Sequence, residues 1–219
     1  MSKDSHLREL LIGAGWAILV LTISLLAHFN SRFPGDVEIT HLFQSIHNGP
    51  LLLAMKGISY ATGTWKAAVL VIIGSIAVWR CIGLLEGGMV AAAGLASFID
   101  NALKLVINRP RPTPDLVTIY IAETAKSFPS GHSFFAVLVF GMVAYLAIAR
   151  LNNPGLRALT ISVFLILVLW TGSSRIYLGV HWTSDVVGAY IIGGFFLAVL
   201  IRLYHVLKPR FAAKKLLGK

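Results

Sequence analysis

The sequence is poor in charge and almost free of cysteine, and these two shortages exclude several classes of protein. Only 13% of its 219 residues are charged, whereas 57% are apolar, which argues against both a soluble domain and a disordered chain. The single cysteine, Cys81, excludes an internal disulfide framework and a zinc site built from cysteines. The length suits one compact membrane domain, so we expect residues 1–219 to form a single membrane-embedded unit.

Charges of the two signs are unequal, and the excess is positive. The chain has 19 lysine and arginine residues but only nine acidic ones, which gives a formal net charge of +10. Such a charge often indicates nucleic-acid binding, but a mean hydropathy of +0.78 indicates a membrane protein. We therefore assign the charge to membrane topology and to an anion site, and we expect no nucleic-acid partner.

Long stretches without charge predict an all-α, polytopic membrane protein with six transmembrane helices in one bundle. Residues 10–31 lack any Lys, Arg, Asp or Glu and are long enough to cross a bilayer alone. The shorter stretches reach spanning length through uncharged or snorkelling flanks. The pattern shows no discontinuous helix and no internal repeat. The six predicted spans are roughly 9–29, 63–81, 86–107, 131–149, 158–174 and 185–204.

The segment of about residues 30–63, between the first and second spans, is only moderately apolar and is broken around Asn48 and Pro50. We interpret it as one or two amphipathic helices that lie in the membrane interface. Six spans put both termini on one side, and the distribution of lysine and arginine favours the cytoplasm. The basic tail, residues 205–219, fits the anionic cytoplasmic leaflet. We expect a bacterial inner membrane, with both termini on its cytoplasmic side.

Three polar clusters lie at ends of predicted spans, and the alternation of the spans brings them to one membrane face. They are Lys104–Pro112, Pro129–His132 and Ser174–Asp185. Taken singly, each has an ordinary structural explanation, such as a snorkelling lysine paired with Asp100, a helix N-cap or an interfacial arginine. Together they supply several cations, free backbone amides and two imidazoles, which is the set that metal-free phosphoryl transfer requires.

The second and third clusters have a specific chemical interpretation. Ser130 and Gly131 precede an uncharged helix, whose N-terminal amides can bind an anion. His181 and Asp185 are four residues apart and share a helical face if the sixth span starts early enough, so the carboxylate can orient the ring. With His132 they could also form a metal site of two histidines and one carboxylate. The surrounding cations favour an oxyanion instead.

At these residues the sequence resembles the type 2 phosphatidic acid phosphatase superfamily, in its integral-membrane lipid phosphatase branch. The family signature has three parts, Lys-x6-Arg-Pro, Pro-Ser-Gly-His and Ser-Arg-x5-His-x3-Asp, and the match runs over residues 104–185. The matching residues are Lys104, Arg111 and Pro112, then Pro129, Ser130, Gly131 and His132, then Ser174, Arg175, His181 and Asp185.

The resemblance implies a role for each residue. His181 would attack phosphorus to form a phosphohistidine, Asp185 would orient it, and His132 would protonate the leaving oxygen and then activate water. Pro129 and Ser174 would support the site. Neither a metal nor a cofactor is implied. The residues that would bind phosphate oxygens are Lys104, Arg111, Ser130, Gly131 and Arg175.

We therefore expect an enzyme that hydrolyses a lipid phosphate, with its active site on the extracytoplasmic face. Its partners would be the substrate and the bilayer, with no obligatory protein partner. Phosphatidylglycerophosphate, phosphatidic acid and undecaprenyl pyrophosphate all fit a basic pocket at the membrane surface. Two further cations, Arg109 and Lys126, would favour a diphosphate. The alternatives are a phosphotransferase of the same superfamily, which passes the phosphoryl group to another acceptor, and a non-enzymatic anion transporter.

Overall fold

A computed structural model describes residues 3–217, and over this range all regular secondary structure is helical, without a β-strand. The end of the predicted basic tail, residues 218 and 219, lies outside the described residues. The predicted all-α fold class is confirmed. The helices are α1 (Lys3–Phe29), α2 (Asp36–Gln44), α3 (Gly49–Ala61), α4 (Thr64–Cys81), α5 (Leu84–Ala96), α6 (Ile99–Ile107), α7 (Gly131–Arg150), α8 (Pro154–Tyr177) and α9 (Thr183–Leu217).

The described residues contain five helical stretches that are long and apolar enough to cross a membrane. The count is six if α3 and α4, which meet at a bend of 69°, form one broken span. The predicted multi-pass architecture is therefore confirmed, with the predicted spans matching helices to within a few residues for most. The five stretches are Leu7–Phe29, Leu84–Ile107, Gly131–Arg150, Pro154–Tyr177 and Thr183–Phe211.

The prediction of uninterrupted helices is wrong for the third span, which divides into α5 and α6. The break falls at Ser97 and Phe98. The hydroxyl of Ser97 donates a 2.6 Å hydrogen bond to the carbonyl oxygen of Gly94, and such local bonding competes with the regular helical ladder. The short helix α6 that follows carries Asp100 and Lys104, so the break sets the direction of the first signature cluster.

Two short helices, α2 and α3, occupy the segment between the first and second spans, as predicted. α3 begins after Asn48, whose side chain accepts a hydrogen bond from the amide of Leu51, and it has Pro50 in its first turn, which fits a helix start. α2 also packs into the helical bundle, because its first residue, Asp36, is buried. That helix contacts both α8 and α9.

α7 is the centre of the bundle and packs against α5, α8 and α9. Phe134, Leu138, Met142 and Leu146 recur every four residues on one face and are fully buried. α9 approaches closely because a Cβ added at Gly141 would lie 2.6 Å from a methyl carbon of Leu197, and small residues allow such contacts between membrane helices. This packing holds the start of α7 beside the start of α9.

Candidate active site

Residues from all three signature clusters line one cavity of about 640 Å³. At its polar end the cavity is lined by the first cluster, by the start of α7 and by the turn before α9. The other end is apolar and runs between α4 and α5. The lining at the polar end comprises Thr62, Ser97, Asp100, Asn101, Lys104, Arg111, Glu123, Gly131, His132 and His181, and the apolar lining residues include Ala67, Ala68, Val71, Ala91, Gly94, Leu95 and Phe98.

His181 lies in the turn between α8 and α9, two residues before α9 begins. It therefore does not share a helical face with Asp185, although the two side chains still meet. Its Nε2 atom is 3.3 Å from Nη1 of Arg111, while its Nδ1 atom is 3.4 Å from Oδ2 of Asp185. The ring thus presents Nε2 to the basic cavity and Nδ1 to the carboxylate.

The electrostatic surroundings keep His181 neutral. Burial lowers the pKa of His181 well below its ordinary value, and the nearby charges of Arg111 and Arg175 lower it further. Although Nδ1 is close to Asp185, the geometry is not that of a hydrogen bond, and Nδ1 has no hydrogen-bond partner among the described residues. A neutral ring has a free nitrogen lone pair, which is the form that a nucleophile requires.

Asp185 is fully buried, and hydrogen-bond donors surround its carboxylate. Nη1 of Arg109 lies 2.5 Å from Oδ1, the amide of Trp182 lies 2.9 Å from Oδ2, and the hydroxyl of Ser127 also donates to Oδ2. The carbonyl oxygen of Asp185 accepts a 3.2 Å hydrogen bond from the amide of Ser130. The third cluster is thereby fixed to the start of α7.

Arg111 and Arg175 share one carboxylate, that of Glu123. Oε2 of Glu123 is 2.9 Å from Nη2 of Arg111, and its Oε1 accepts a hydrogen bond from Nη2 of Arg175. Burial alone would raise the pKa of Glu123, but the positive charges, first that of Arg175, lower it to about 2. Sequence analysis missed Glu123, which lies between two predicted phosphate ligands and belongs to no signature motif.

Lys104 also has an acidic partner. Its Nζ atom is 2.6 Å from Oδ2 of Asp100, one helical turn earlier on α6. A Cβ added at Gly131 would lie 2.5 Å from that carboxylate oxygen and 2.9 Å from Nζ. Glycine permits this close approach of the α7 backbone without displacing the charged pair. The start of α7, with its free amide hydrogens, is therefore directed at the cavity.

The remaining predicted site residues lie behind the cavity wall. The hydroxyl of Ser130 pairs with that of Ser133 at 2.9 Å, and its amide donates to the carbonyl oxygen of Asp185, so both groups already bond to protein atoms. Ser174 is buried and donates to the carbonyl oxygen of Thr171 at 2.7 Å within α8. Arg175 is buried, at 1% exposure, and Pro129 immediately precedes the α7 N-cap. These residues stay predictions as ligands or supports.

The two further cations that were expected to favour a diphosphate do not line the cavity. Arg109 is fully buried and forms ion pairs with Asp36 and Asp185, so the expectation that it binds substrate is wrong. Lys126 is exposed and is absent from the cavity lining. Its carbonyl oxygen instead accepts a 3.3 Å hydrogen bond from Arg111.

The acidic residues of the site, including Asp36 and Glu123, which sequence analysis overlooked, share one signal. The chain has only nine acidic residues, and buried carboxylates in a membrane protein are costly, so those that are present indicate a function. Four of those nine lie in or directly behind the cavity, and only one belongs to a signature motif. The four are Asp36, Asp100, Glu123 and Asp185.

The helical fold places its basic cavity at one end of an apolar bundle. Residues 86–209 match the model of the PAP2 superfamily, and the chain belongs to that superfamily. It is 30% identical to phosphatidylglycerophosphatase B of Bacillus subtilis over 185 residues, which cover 80% of this chain and 86% of that one. It is 40% identical over 77 residues to phosphatidylglycerophosphatase B of Escherichia coli K12, covering 35% and 28%.

Two solved structures share the fold. A crystal structure described as the first transmembrane PAP2 type phosphatidylglycerolphosphate phosphatase, from Bacillus subtilis, aligns with a TM-score of 0.73 at 24% identity, covering 89% of this chain and 96% of that one. Aquifex aeolicus LpxE aligns with a TM-score of 0.62 at 20% identity, covering 78% and 96%. The predictions of the family and of a lipid phosphatase are confirmed at the level of family and enzyme class.

Proposed function

We propose that this protein removes the terminal phosphate of a membrane lipid through a phosphohistidine intermediate, without a metal ion, and that its substrate is phosphatidylglycerophosphate. The observation that carries the proposal is the two-ended cavity. Its polar end holds Lys104, Arg111 and His181, while its apolar end runs between α4 and α5. An amphiphile with an anionic head and hydrocarbon tails matches both ends, whereas a free sugar phosphate matches only one.

The first chemical step follows from the orientation of His181. Its Nε2 atom faces the cavity beside Arg111, so its lone pair attacks phosphorus and the bond from phosphorus to the lipid oxygen breaks. His132, which also lines the cavity, donates a proton to the departing oxygen. Lys104 and Arg111, which line the cavity, neutralise the phosphoryl oxygens. The buried Arg175 adds its positive charge from behind the cavity wall, and the amide of Gly131 adds a hydrogen bond.

The second step releases inorganic phosphate. His132, now deprotonated, takes a proton from a water molecule, and the water oxygen attacks phosphorus as the bond to His181 Nε2 breaks. Asp185, 3.4 Å from Nδ1, stabilises the positive charge that the ring bears as the phosphohistidine. This sequence needs no Lewis acid, because the three cations perform the charge neutralisation that a metal ion would supply elsewhere.

The choice of substrate rests on the names of the relatives. Two curated relatives are phosphatidylglycerophosphatase B enzymes, which supports phosphatidylglycerophosphate over phosphatidic acid and undecaprenyl pyrophosphate. The burial of Arg109 also removes the cation that had favoured a diphosphate. A phosphate monoester requires fewer cations, and those of the cavity are sufficient for it.

We also propose that the site faces the extracytoplasmic side of a bacterial inner membrane. α9 begins beside His181, runs for 35 residues and carries the basic tail at its far end. A helix of that length exceeds the thickness of a bilayer core. Because basic residues stay on the cytoplasmic side, the tail is inside and the site is outside.

The test is phosphate release by the purified protein from detergent-solubilised lipids, with and without EDTA. We expect turnover of phosphatidylglycerophosphate to exceed that of phosphatidic acid and undecaprenyl pyrophosphate, and EDTA to have no effect. His181→Ala should abolish release, whereas the matched change of an exposed histidine, His47→Ala, should leave it intact. Acid-labile, alkali-stable phosphoenzyme should be trapped in the wild type. Loss of activity with EDTA, or full activity of His181→Ala, would contradict the proposal.

A further inference from the structure

Arg109 stands two residues before a predicted phosphate ligand but is directed away from the cavity. Its Nε donates to the carbonyl oxygen of Asn30 at 3.1 Å, and its guanidinium carbon lies 4.8 Å from the centre of the Phe33 ring. Its Nη1 and Nη2 atoms donate to Asp185 and Asp36 at 2.5 and 3.0 Å. Each of the three guanidinium nitrogens therefore donates to a protein group, so phosphate binding does not explain this residue.

Arg109 fixes one of the two oxygens of Asp185. It holds Oδ1, while the amide of Trp182 and the hydroxyl of Ser127 hold Oδ2. Oδ2 is also the atom that faces Nδ1 of His181. With both oxygens fixed the carboxylate cannot rotate, so the position of Oδ2 beside the imidazole depends on the guanidinium at the other oxygen.

Asp36, the first residue of α2, completes the cluster. It is 2% exposed, and its Oδ2 accepts from Arg109 and from the hydroxyl of Ser184 at 2.7 Å. Its Oδ1 accepts a 2.9 Å hydrogen bond from the amide of Ser184, in the first turn of α9. A helix in the predicted interfacial segment is thus bonded to the start of the helix that bears Asp185.

The charges of this cluster do not cancel. Two buried carboxylates, Asp36 and Asp185, share one guanidinium, which leaves one net negative charge beside His181. If Arg109 faced Asp185 alone, the pair would be neutral and the imidazole would gain little from its carboxylate. Because Asp36 balances Arg109, the negative charge of Asp185 remains available to the ring when the ring becomes positive.

We propose that Arg109 and Asp36 are positioning residues for the nucleophile, which act on His181 through Asp185. The inference rests on the proposed function, since it assigns them to the step in which His181 Nε2 bonds to phosphorus. In that step the lipid oxygen departs with a proton from His132, and the ring keeps its Nδ1 proton and becomes cationic. Arg109 holds the carboxylate in place, and Asp36 preserves its charge.

The test compares two arginines of one motif, Arg109→Met and Arg111→Met, by two measurements. The first is kcat for lipid-phosphate hydrolysis. The second is the affinity for inorganic phosphate, obtained from the rise in unfolding temperature with phosphate concentration, which needs no activity. We expect Arg109→Met to lower kcat about 100-fold with unchanged phosphate affinity. Arg111→Met should weaken phosphate binding by at least about tenfold.

Two milder variants keep the test decisive if Arg109→Met folds poorly. Arg109→Lys retains a charge but reaches fewer acceptors, so it should recover part of the lost kcat. Asp36→Asn should lower kcat in the wild-type background and have little further effect with Arg109→Met, because Asp36 acts through Arg109. Such non-additivity in kcat, at unchanged phosphate affinity, is not produced by a loss of stability alone.

Three results would overturn the inference. Weakened phosphate binding in Arg109→Met would make Arg109 a ligand, and unchanged kcat per folded enzyme in that variant would make its role structural. Additive losses of kcat for Asp36→Asn and Arg109→Met would separate the two residues. Failure of the proposed function is distinguishable, because the wild type would then release no phosphate from any lipid while the phosphate-binding comparison still discriminates Arg109 from Arg111.

Discussion

Glu123 occupies the position between Arg111 and Arg175 where the phosphate of the substrate is proposed to bind, and a carboxylate there must compete with it. The perturbation that tests this competition is Glu123→Gln, which keeps the shape of the side chain and removes its charge. We predict that inorganic phosphate inhibits the variant more strongly than the wild type. In the variant the two arginines have no carboxylate of the protein that competes with phosphate for them.

The magnitude follows from the titration of that carboxyl. Its pKa is about 2 instead of an ordinary 4.5, which corresponds to roughly 3 kcal/mol of net preference for the charged form among its neighbours. A displaced Glu123 remains near the arginines and keeps part of this interaction. We therefore expect about half of this free energy to contribute to the tighter binding of phosphate by the variant, which lowers the inhibition constant of phosphate about tenfold.

The assay is competitive inhibition of lipid hydrolysis by inorganic phosphate at neutral pH, where Glu123 is fully ionised. The matched control is Glu38→Gln, the same change at an exposed position on α2, which should leave the inhibition constant unchanged. Weaker inhibition of Glu123→Gln than of the wild type would refute the reasoning. That outcome would mean that Glu123 holds Arg111 and Arg175 in their binding positions instead of competing with phosphate.

Three further predictions concern the acid, the tail channel and the topology. His132→Ala should lower kcat on lipid substrates about 1,000-fold, and the loss should be smallest for an activated substrate such as p-nitrophenyl phosphate, whose leaving group needs no proton. Gly94→Leu should raise KM for lipids but not for p-nitrophenyl phosphate, because a Cβ there would lie 2.6 Å from Val71 in the apolar end of the cavity, where the lipid tails are expected to bind. The control is Gly88→Leu, on the same helix but in open space. Equal effects of Gly94→Leu on both substrates would contradict binding of the tails at this end. Cys81 is exposed at the end of α4 remote from the cavity, so a membrane-impermeant maleimide should label it in inverted vesicles and not in right-side-out ones; the reverse pattern would place the site in the cytoplasm.

The sequence predicted best those features that depend on residue type at fixed spacing. Charge-free stretches predicted the spans, because the bilayer tolerates few charges and demands a minimum helix length. The signature clusters predicted that Lys104, Arg111, His132 and His181 meet, and their side chains do line one cavity. Helix alternation was sufficient for that result, since it fixes which span ends share a face.

The break in the third span could not be predicted in the same way. Residues 84–107 have the composition of one continuous helix, and the interruption at Ser97 depends on a single side-chain bond to Gly94. Nor did spacing predict that His181 lies in a turn, since contact with Asp185 is possible both within a helix and just before one. Neither feature has a periodic signal, because each is decided by local contacts at one or two residues.

Sequence analysis offered the pairing of Lys104 with Asp100 as a structural alternative, but Asp36 and Glu123 escaped prediction for a more general reason. A cation in a desolvated cavity needs a counter-charge whenever phosphate is absent. Asp100 supplies this charge for Lys104, and Glu123 supplies it for both Arg111 and Arg175. The substrate dictates the type and spacing of the cations, but any element that reaches them can supply the balancing acid. These acids come from α6 and a loop, and the acid that balances Arg109 comes from α2. In a chain with few acidic residues, a buried acidic residue is therefore a candidate partner of a functional cation, even where it lies at the start of a helix.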